Sequence, residues 1–407
     1  MRTTRIIAFG SVGLIGVVAC VAYLLPAAVE RRLNRTVAAP PYRVSPADSA
    51  LYDSLAFVAD LHSDALLWAR DLAVRGARGH VDVPRLIEAG VALQAFTIVT
   101  KTPKGQNYRA NDDQTDNVTA LMLAQARRPA TWTSLAERAL DMCARLADVA
   151  ERRDDFRVLR SGAELRAYLA ARATDRSQSA GLLGVEGLHA LEGDIDNLAR
   201  LYDAGVRMVA PVHFFDNALG GSAHGVDKGG LTTFGATVVE AAERRGMIID
   251  LSHGSEALIS DVLDVATRPV VVSHTGVRAT CPGGRNLSDD QLRRIAAGGG
   301  LVGIALFRQA VCGPDAAATA RAMRHAADVM GVGHVALGSD FDGAVTTPFD
   351  VTGLPLLVPA LRDEGFTPGE IEAILGGNVR DFLLANLPEG YVEEMSFGMI
   401  AYVVPLS

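Results

Sequence analysis

Cysteine is scarce in this sequence, with four residues in 407. They are Cys20, Cys143, Cys281 and Cys312, and no two of them have the CxxC spacing of a thiolate zinc site. Their wide scatter also excludes a dense disulfide framework. One bridge, between Cys281 and Cys312, stays open at this point.

Positive charge is also in short supply, since 39 Lys and Arg residues stand against 47 Asp and Glu residues. The net charge is −8 and the pI is about 5.6. Because binding to a phosphate backbone needs a basic face, this balance excludes a nucleic-acid partner. The sequence is 49% hydrophobic and 21% charged, which is typical of a folded protein with a large core.

Charged side chains are absent altogether from residues 6–29. This run exceeds the roughly 20 apolar residues that cross a membrane as a helix, so residues 1–33 are predicted to form an N-terminal transmembrane helix that anchors the chain. A cleaved signal segment is the alternative. Prolines near residue 40 predict a stiff linker over residues 34–50, which leaves residues 51–407 as the folded body.

Short apolar runs recur along this body and alternate with amphipathic stretches that are typical of helices. Runs buried on both faces are the pattern of parallel strands, and eight of them predict an α/β fold, a (β/α)8 TIM-like barrel. The runs are Leu55 to Leu61, Val91 to Val99, Gly181 to Val185, Val206 to Val212, Met247 to Leu251, Pro269 to Val272, Leu301 to Leu306 and His334 to Leu337. Among the helices, Ser288 is predicted to cap a helix over Asp289 to Ala297 that stops at Gly298.

Histidine or carboxylate side chains follow five of the eight runs. Taken alone, a histidine at a strand end is more often structural, but the joint pattern predicts one metal site because barrel strands gather reactive groups at their carboxyl ends. After the first run, His62 and Asp64 are alternate residues of an extended segment, so their side chains point the same way. The residues are His62 and Asp64 after the first run, Glu186 after the third, His253 after the fifth, His274 after the sixth and Asp340 after the eighth.

Imidazole and carboxylate ligands without thiolate suit zinc, with manganese and cobalt as alternatives. Buried cations need balancing negative charge, and the carboxylates of Asp64, Glu186 and Asp340 together with one hydroxide would balance two divalent ions. We therefore expect two metal ions about 3.5 to 4 Å apart, bridged by Glu186 and the hydroxide.

At these motifs the chain resembles the membrane (renal) dipeptidase family, which belongs to the amidohydrolase-like barrels. The similarity covers residues 55–385. It rests on Asp60 to Asp64, Gly184 to Gly187, Val212-His213, Gly230 to Gly235, Ile249 to His253, Ser273-His274, Arg285-Asn286, Gly338 to Gly343 and Gly376 to Asn378.

The resemblance implies zinc-dependent hydrolysis of dipeptides, with tolerance of a D-residue at the C-terminal position. It places His62 and Asp64 on one zinc ion, His253 and His274 on the other, and Glu186 between them. Asp340 would move the proton in catalysis, while His213 would steady the carbonyl oxygen or the tetrahedral intermediate. Arg285 would bind the substrate's C-terminal carboxylate, and Asp342 would have a structural part.

One departure from the family concerns tyrosine, which is lacking near Leu306 to Gln309, where mammalian relatives have one beside the substrate carboxylate. Hydrolysis of another amide or of a lactone by the same two-metal chemistry is therefore an alternative. An inactive membrane-tethered binding protein is a second alternative. Family habit and the N-terminus predict a membrane-anchored protein whose catalytic body lies outside the cytoplasm, in the periplasm if the source is bacterial. A homodimer is left open.

Overall fold

The eight apolar runs are all strands in the computed structural model, which describes residues 25–390. The bounds differ from the predicted ones mainly in the first and fifth strands, which are shorter than their apolar runs. In chain order the strands are β1 Val58–Asp60, β2 Val91–Val99, β3 Ser179–Glu186, β4 Val206–Ala210, β5 Ile248–Ile249, β6 Val271–Thr275, β7 Leu301–Ile304 and β8 Val335–Leu337.

These strands form an α/β architecture in which neighbouring strands are parallel. One sheet has the order β1-β2-β3-β4-β5, with a further short strand, Phe156–Val158, paired in parallel with the start of β3, and a second sheet has the order β6-β7-β8. A parallel bridge between Asp250 and Val271 joins β5 to β6. At the other seam, the Leu61 amide donates to the Leu337 carbonyl oxygen at 3.0 Å, next to β1 and β8. The strands therefore follow one another in chain order around a ring.

Helices follow the strands on the outside of this ring, as the alternating pattern predicts. Ser288 caps its helix through a capping box with Gln291, and the helix ends at Gly298 as expected. The helices are Pro46–Ser54, Val83–Glu88, Asn117–Ala124, Leu135–Arg152, Gly162–Arg172, Asp196–Asp203, Thr233–Arg244, Glu256–Val265, Asp289–Ala297, Arg308–Val311, Ala316–Met330, Leu357–Asp363, Pro368–Glu372 and Asn378–Asn386.

Burial of the strands explains why their sequences read as continuous apolar runs. Every residue of β2 and of β3 is buried. Strands that are covered on both faces gain stability from apolar side chains on each face, so alternation with polar residues is lost. Polar residues then occur mainly where a strand ends, and this places the histidines and carboxylates at the carboxyl end of the ring.

The predicted membrane helix lies largely in residues 1–24, outside the described residues. Within residues 25–390, no helix is both long and apolar enough to cross a membrane. Residues 25–33 are helical, and Arg35–Thr36 pairs in parallel with Thr346–Thr347 of the body. The first part of the predicted linker therefore contacts the body rather than forming a detached spacer. The boundaries at residues 33 and 50 stay predictions.

Candidate metal centre and active site

Glu186, the last residue of β3, lies at the centre of a buried cluster formed by the predicted metal ligands. Its Oε1 is 2.9 Å from Nε2 of His253 and 3.5 Å from Nε2 of His274. Its Oε2 is 3.7 Å from Nε2 of His62, which is itself 3.5 Å from Oδ1 of Asp64. The two carboxylate oxygens of Glu186 thus face two different sets of donors, as a bridging ligand requires.

Three groups of donor atoms in the described residues are close enough to share an ion, with all atoms of a group within 4.8 Å of one another. Every member is a residue predicted from the sequence as a ligand or catalytic group. The groups are His62 with Asp64 and Glu186, Glu186 with His213 and His253, and His62 with His274 and Asp340.

Unpartnered atoms at the centre test whether a cation fits there. Glu186 Oε1 is buried and has no hydrogen-bond partner among the described residues, and the same is true of Nδ1 of His253. The Nε2 atoms of His253 and His274 face each other at 3.0 Å. Nitrogen and oxygen lone pairs therefore converge without enough protons between them, which costs free energy unless a cation is shared. This donor set, without thiolate, fits zinc.

Burial dominates the protonation of these groups in the protein alone. It lowers the pKa of His253 and His274 well below the usual value, and the charge of Arg285 lowers both further. Burial also raises the pKa of Glu186 well above its usual value. His62 differs, because Glu186, Asp64 and Asp340 more than offset the effect of burial and raise its pKa to about 10. Neutral His253 and His274 can therefore each offer a lone pair to a divalent ion, whereas His62 and Glu186 would give up their protons when the ion binds.

Asp340 follows β8 and points at the same cluster, with Oδ1 3.8 Å from Nε2 of His62. Burial, together with the nearby charge of Asp64, raises the pKa of Asp340 to about 8. The backbone at Asp340 is left-handed, with φ of 63°. A Cβ on Gly343 would lie 2.0 Å from Asp340 Oδ1, so only glycine at that position leaves room for the carboxylate. The loop therefore sets the direction of the Asp340 side chain.

Arg285 and His213 lie beside the cluster and line the same cavity. The Arg285 guanidinium donates to the His274 carbonyl oxygen at 2.6 Å, whereas its Nε is buried without a partner among the described residues. His213 Nε2 is 3.3 Å from Glu186 Oε2, as close as the predicted ligands. His213 is therefore placed to bind either a cation or a substrate oxygen.

Two supporting residues were missed by the sequence analysis. The Thr97 hydroxyl in β2 donates to Asp64 Oδ1 at 2.6 Å and lies 3.1 Å from His62 Nε2. The Ser273 hydroxyl in β6 is 2.9 Å from His62 Nδ1, on the other side of the ring. These contacts fix the orientation of His62 and Asp64, as outer contacts commonly do for metal ligands. A hydroxyl inside an apolar strand was the only available signal.

The cluster forms the floor of a cavity of about 970 Å³. Tyr108, from the loop after β2, lines this cavity together with Arg285 and Asp340. Its ring packs edge-on against Phe214 at 5.7 Å between centroids. A tyrosine thus reaches the site, although from a different loop than in mammalian relatives.

Asp342 lies two residues beyond Asp340 in a separate buried cluster, as its predicted structural part requires. Its carboxylate accepts hydrogen bonds from Arg70 and from the amide of His80. Arg70 Nε also pairs with Glu30 Oε1 at 2.6 Å, and Arg78 Nε pairs with Glu30 Oε2 at 2.5 Å. Burial raises the pKa of Asp342, but the charges of Arg70 and His80 outweigh it and hold that pKa below the usual value.

The remaining sequence expectation concerns cysteine. Cys281 and Cys312 form a disulfide with a Cα–Cα distance of 5.2 Å. The loop that it closes carries Arg285.

Comparison with known proteins places this geometry among hydrolases. The model of the family described as "Membrane dipeptidase (Peptidase family M19)" matches residues 50–382. Dipeptidase tcpJ of Claviceps purpurea is 31% identical over 311 residues, which are 74% of this chain and 68% of the relative. Dipeptidase aclJ of Aspergillus oryzae is 36% identical over 208 residues. That match spans about half the length of each protein, 49% of both.

Among solved structures, a metallopeptidase from Rhodobacter sphaeroides superposes with a TM-score of 0.66 at 27% identity. The superposition covers 81% of this chain and 99% of the other. That structure holds a phosphinate mimic of the dipeptide L-Ala-D-Ala.

Proposed function

The chain belongs to the membrane dipeptidase family, and from this premise we propose that it hydrolyses the peptide bond of dipeptides at a centre that binds two zinc ions. The observation that carries the proposal is the position of Glu186 between two donor sets. His62 lies on the side of its Oε2, and His253 and His274 lie on the side of its Oε1. With Asp64 beside His62, each side offers nitrogen and oxygen ligands for one ion.

When bound, zinc would polarise the scissile carbonyl and lower the pKa of the attacking water. The other parts of the reaction fall to side chains of this chain. Asp340 is the general base, which takes the proton from the attacking water and passes it to the leaving amine. Its left-handed backbone and the small Gly343 hold the carboxylate at the cluster in support of this role.

Arg285 binds the substrate's C-terminal carboxylate. Its guanidinium is buried, and its unpartnered Nε leaves a donor available beside the donor that bonds the His274 carbonyl oxygen. A planar guanidinium matches a carboxylate with two parallel hydrogen bonds, so an anionic end group would compensate the buried charge. His213 binds the carbonyl oxygen and stabilises the negative charge that develops on it.

The scaffold that we infer for this chemistry is a closed (β/α)8 barrel, supported by the hydrogen bond between Leu61 and Leu337 at one seam. We also propose that the N-terminal segment 1–33 holds the body at a membrane, outside the cytoplasm, through its uncharged part before residue 25, while the helix from residue 25 contacts the body. The uncharged residues 6–29 and the Cys281–Cys312 bridge support this location, because disulfides persist in oxidising compartments. A reporter enzyme that works only outside the cytoplasm should be active when it is fused at the C-terminus. Activity of a reporter that works only inside the cytoplasm would contradict the proposal.

A dipeptide panel with metal analysis tests the function. The purified full chain should contain about two zinc ions and should cleave dipeptides, including one with a C-terminal D-residue, and a chelator should abolish turnover. N-acyl amino acids and lactones belong in the same panel, because the family chemistry could act on them. Turnover of these alone would replace the dipeptide proposal, and a folded, metal-free protein without turnover would indicate a binding protein.

A further inference from the structure

The helix at the start of the described residues forms part of the active-site cavity. We propose that residues 25–37 are a substrate-selecting wall, which favours dipeptides whose N-terminal residue carries a long apolar side chain. This inference rests on the proposed function and adds the substrate class to it. Residues 25–37 lie outside the stretch 50–382 that matches the family model.

Seven residues of this wall line the cavity, and five of them are apolar, the other two being Arg32 and Arg35. Leu25, Val29, Leu33 and Val37 line the same cavity as Glu186 and the other metal-centre residues. Leu33 is 38% exposed and Val37 is 60% exposed, so a large part of each aliphatic side chain is available to a ligand in the cavity. Leaving them in water costs free energy that an apolar ligand would recover.

A second apolar surface lines the same cavity. It is provided by Val118 and Leu121 of the helix Asn117–Ala124. The cavity is therefore charged at its floor and apolar on two sides above it. Its volume of about 970 Å³ is near the upper end of the usual range for small-molecule sites, about 300–1,000 Å³, and exceeds what two small residues fill.

The wall is held in place by polar contacts on its other side. Glu30 is only 1% exposed and pairs with Arg70 and Arg78. The Asn34 side-chain oxygen accepts a hydrogen bond from the Ala344 amide at 2.8 Å, and Arg35–Thr36 pairs with Thr346–Thr347. A buried carboxylate with two arginine partners fixes the helix, so its aliphatic side chains keep a defined position at the cavity.

The direction of the substrate decides which residue meets the wall. Arg285 holds the C-terminal carboxylate at the floor, and the scissile bond lies over Glu186. The N-terminal residue is then the part that extends towards the cavity mouth. Its side chain is the group that contacts Leu33 and its apolar neighbours.

A homologous substrate series measures this contact. The full-length, zinc-loaded chain is assayed with glycine dipeptides whose N-terminal residue is alanine, norleucine, 2-aminooctanoic acid or 2-aminodecanoic acid. We expect kcat/KM to rise about two- to fourfold for each added methylene. Leu33→Asp should at least halve the logarithmic slope, because Val118 and Leu121 of the second apolar surface are unchanged, and Leu33→Ala should reduce it less. Val265→Asp, at an exposed valine that does not line the cavity, should keep the full slope.

Calorimetric titration with free 2-aminodecanoic acid and alanine measures the same contact without turnover. We expect the longer amino acid, which has seven more methylenes, to bind about a hundredfold more tightly or better, and Leu33→Asp to reduce this ratio about tenfold. A flat slope in the unsubstituted chain, or a slope that Leu33→Asp leaves unchanged, overturns the wall while the dipeptidase proposal stands. Absence of all dipeptide turnover overturns the dipeptidase proposal, and the titration alone then decides whether the wall exists.

Discussion

Asp340 and Asp342, two residues apart on the loop after β8, belong to two different clusters of buried charge, and the pKa values of the two carboxyl groups are shifted in opposite directions. In the structural cluster, Asp342 meets Arg70, and Arg70 in turn meets Glu30. In the metal centre, Asp340 and Glu186 face histidines whose pKa values are lowered by burial, apart from His62. The pKa of Asp342 is lowered and that of Asp340 is raised to about 8.

The difference shows how a buried carboxylate can be interpreted. Where arginine partners supply the opposite charge, the group is complete within the protein and holds the fold together. Where the partners are neutral and oxygen or nitrogen atoms stay unpartnered, the missing charge must come from outside. We therefore expect the metal centre to bind cations and Arg285 to bind an anion. Arg70 already has two carboxylate partners within the protein.

Removing the charge of Glu186 should have the strongest effect on both zinc binding and catalysis. Glu186→Gln should lower the zinc content below one ion per chain and reduce kcat/KM by about 10⁴-fold, since both donor sets lose their shared oxygen ligand. Elemental analysis and dipeptide assays measure the two effects. Glu151→Gln, at an exposed glutamate, is the control and should change neither. Full zinc content in Glu186→Gln would contradict the bridging role.

Removing the proton acceptor should separate metal binding from catalysis. Asp340→Asn should keep about two zinc ions but lose about 10³-fold in kcat, because the amide cannot accept the proton and asparagine tolerates the left-handed backbone. Asp154→Asn, on the surface, is the matched control. Unchanged turnover in Asp340→Asn would remove Asp340 from the mechanism.

A substitution in the Asp342 cluster should lower the stability of the protein rather than its catalytic rate. Asp342→Asn leaves Arg70 short of one buried partner and should lower the free energy of unfolding by about 3 kcal/mol. Urea unfolding measures the change. Glu240→Gln breaks the exposed pair with Arg244 and should cost close to nothing. Equal effects of the two substitutions would mean that burial does not distinguish the pairs.

The mildest change should come from Arg285, whose guanidinium is buried beside the cluster. Arg285→Lys should raise KM for dipeptides about ten- to a hundredfold with little change in kcat, because lysine keeps the charge but loses the forked donor geometry. Steady-state kinetics measure the separation of KM from kcat. Arg293→Lys, at an exposed arginine, should leave both constants unchanged. A fall in kcat alone would place Arg285 in the chemical step.

The sequence was sufficient for the strands and for the convergence of the histidines and carboxylates at their ends, while the binding of metal by these side chains stays a prediction. The reason is that both depend on local patterns: a fully buried strand needs an apolar run, and the chemical groups must follow it. His62 and His274 could be found in this way, although they are 212 residues apart in the sequence, and their ring centroids lie 3.7 Å apart.

Contacts between residues that are far apart in the sequence could not be predicted where no local sequence pattern marks either residue. Glu30 follows an uncharged run and looks like an ordinary end of a membrane segment, while its partners Arg70 and Arg78 are 40 and 48 residues away. Prolines near residue 40 predict an extended linker, but nothing in the sequence shows that Arg35–Thr36, just before them, pairs with Thr346–Thr347. Thr97 supports His62 only because β1 and β2 are neighbours.

The contact between residues 30–36 and residues 342–347 joins the cavity rim to the loop that carries Asp340. The Glu30 side chain is linked through Arg70 to Asp342, and the backbones of Arg35–Thr36 and Thr346–Thr347 are paired. Movement of the rim must therefore either break these ion pairs or pull on the loop. A mechanical load on the N-terminal part of the chain would therefore act on the loop that carries Asp340 through these contacts.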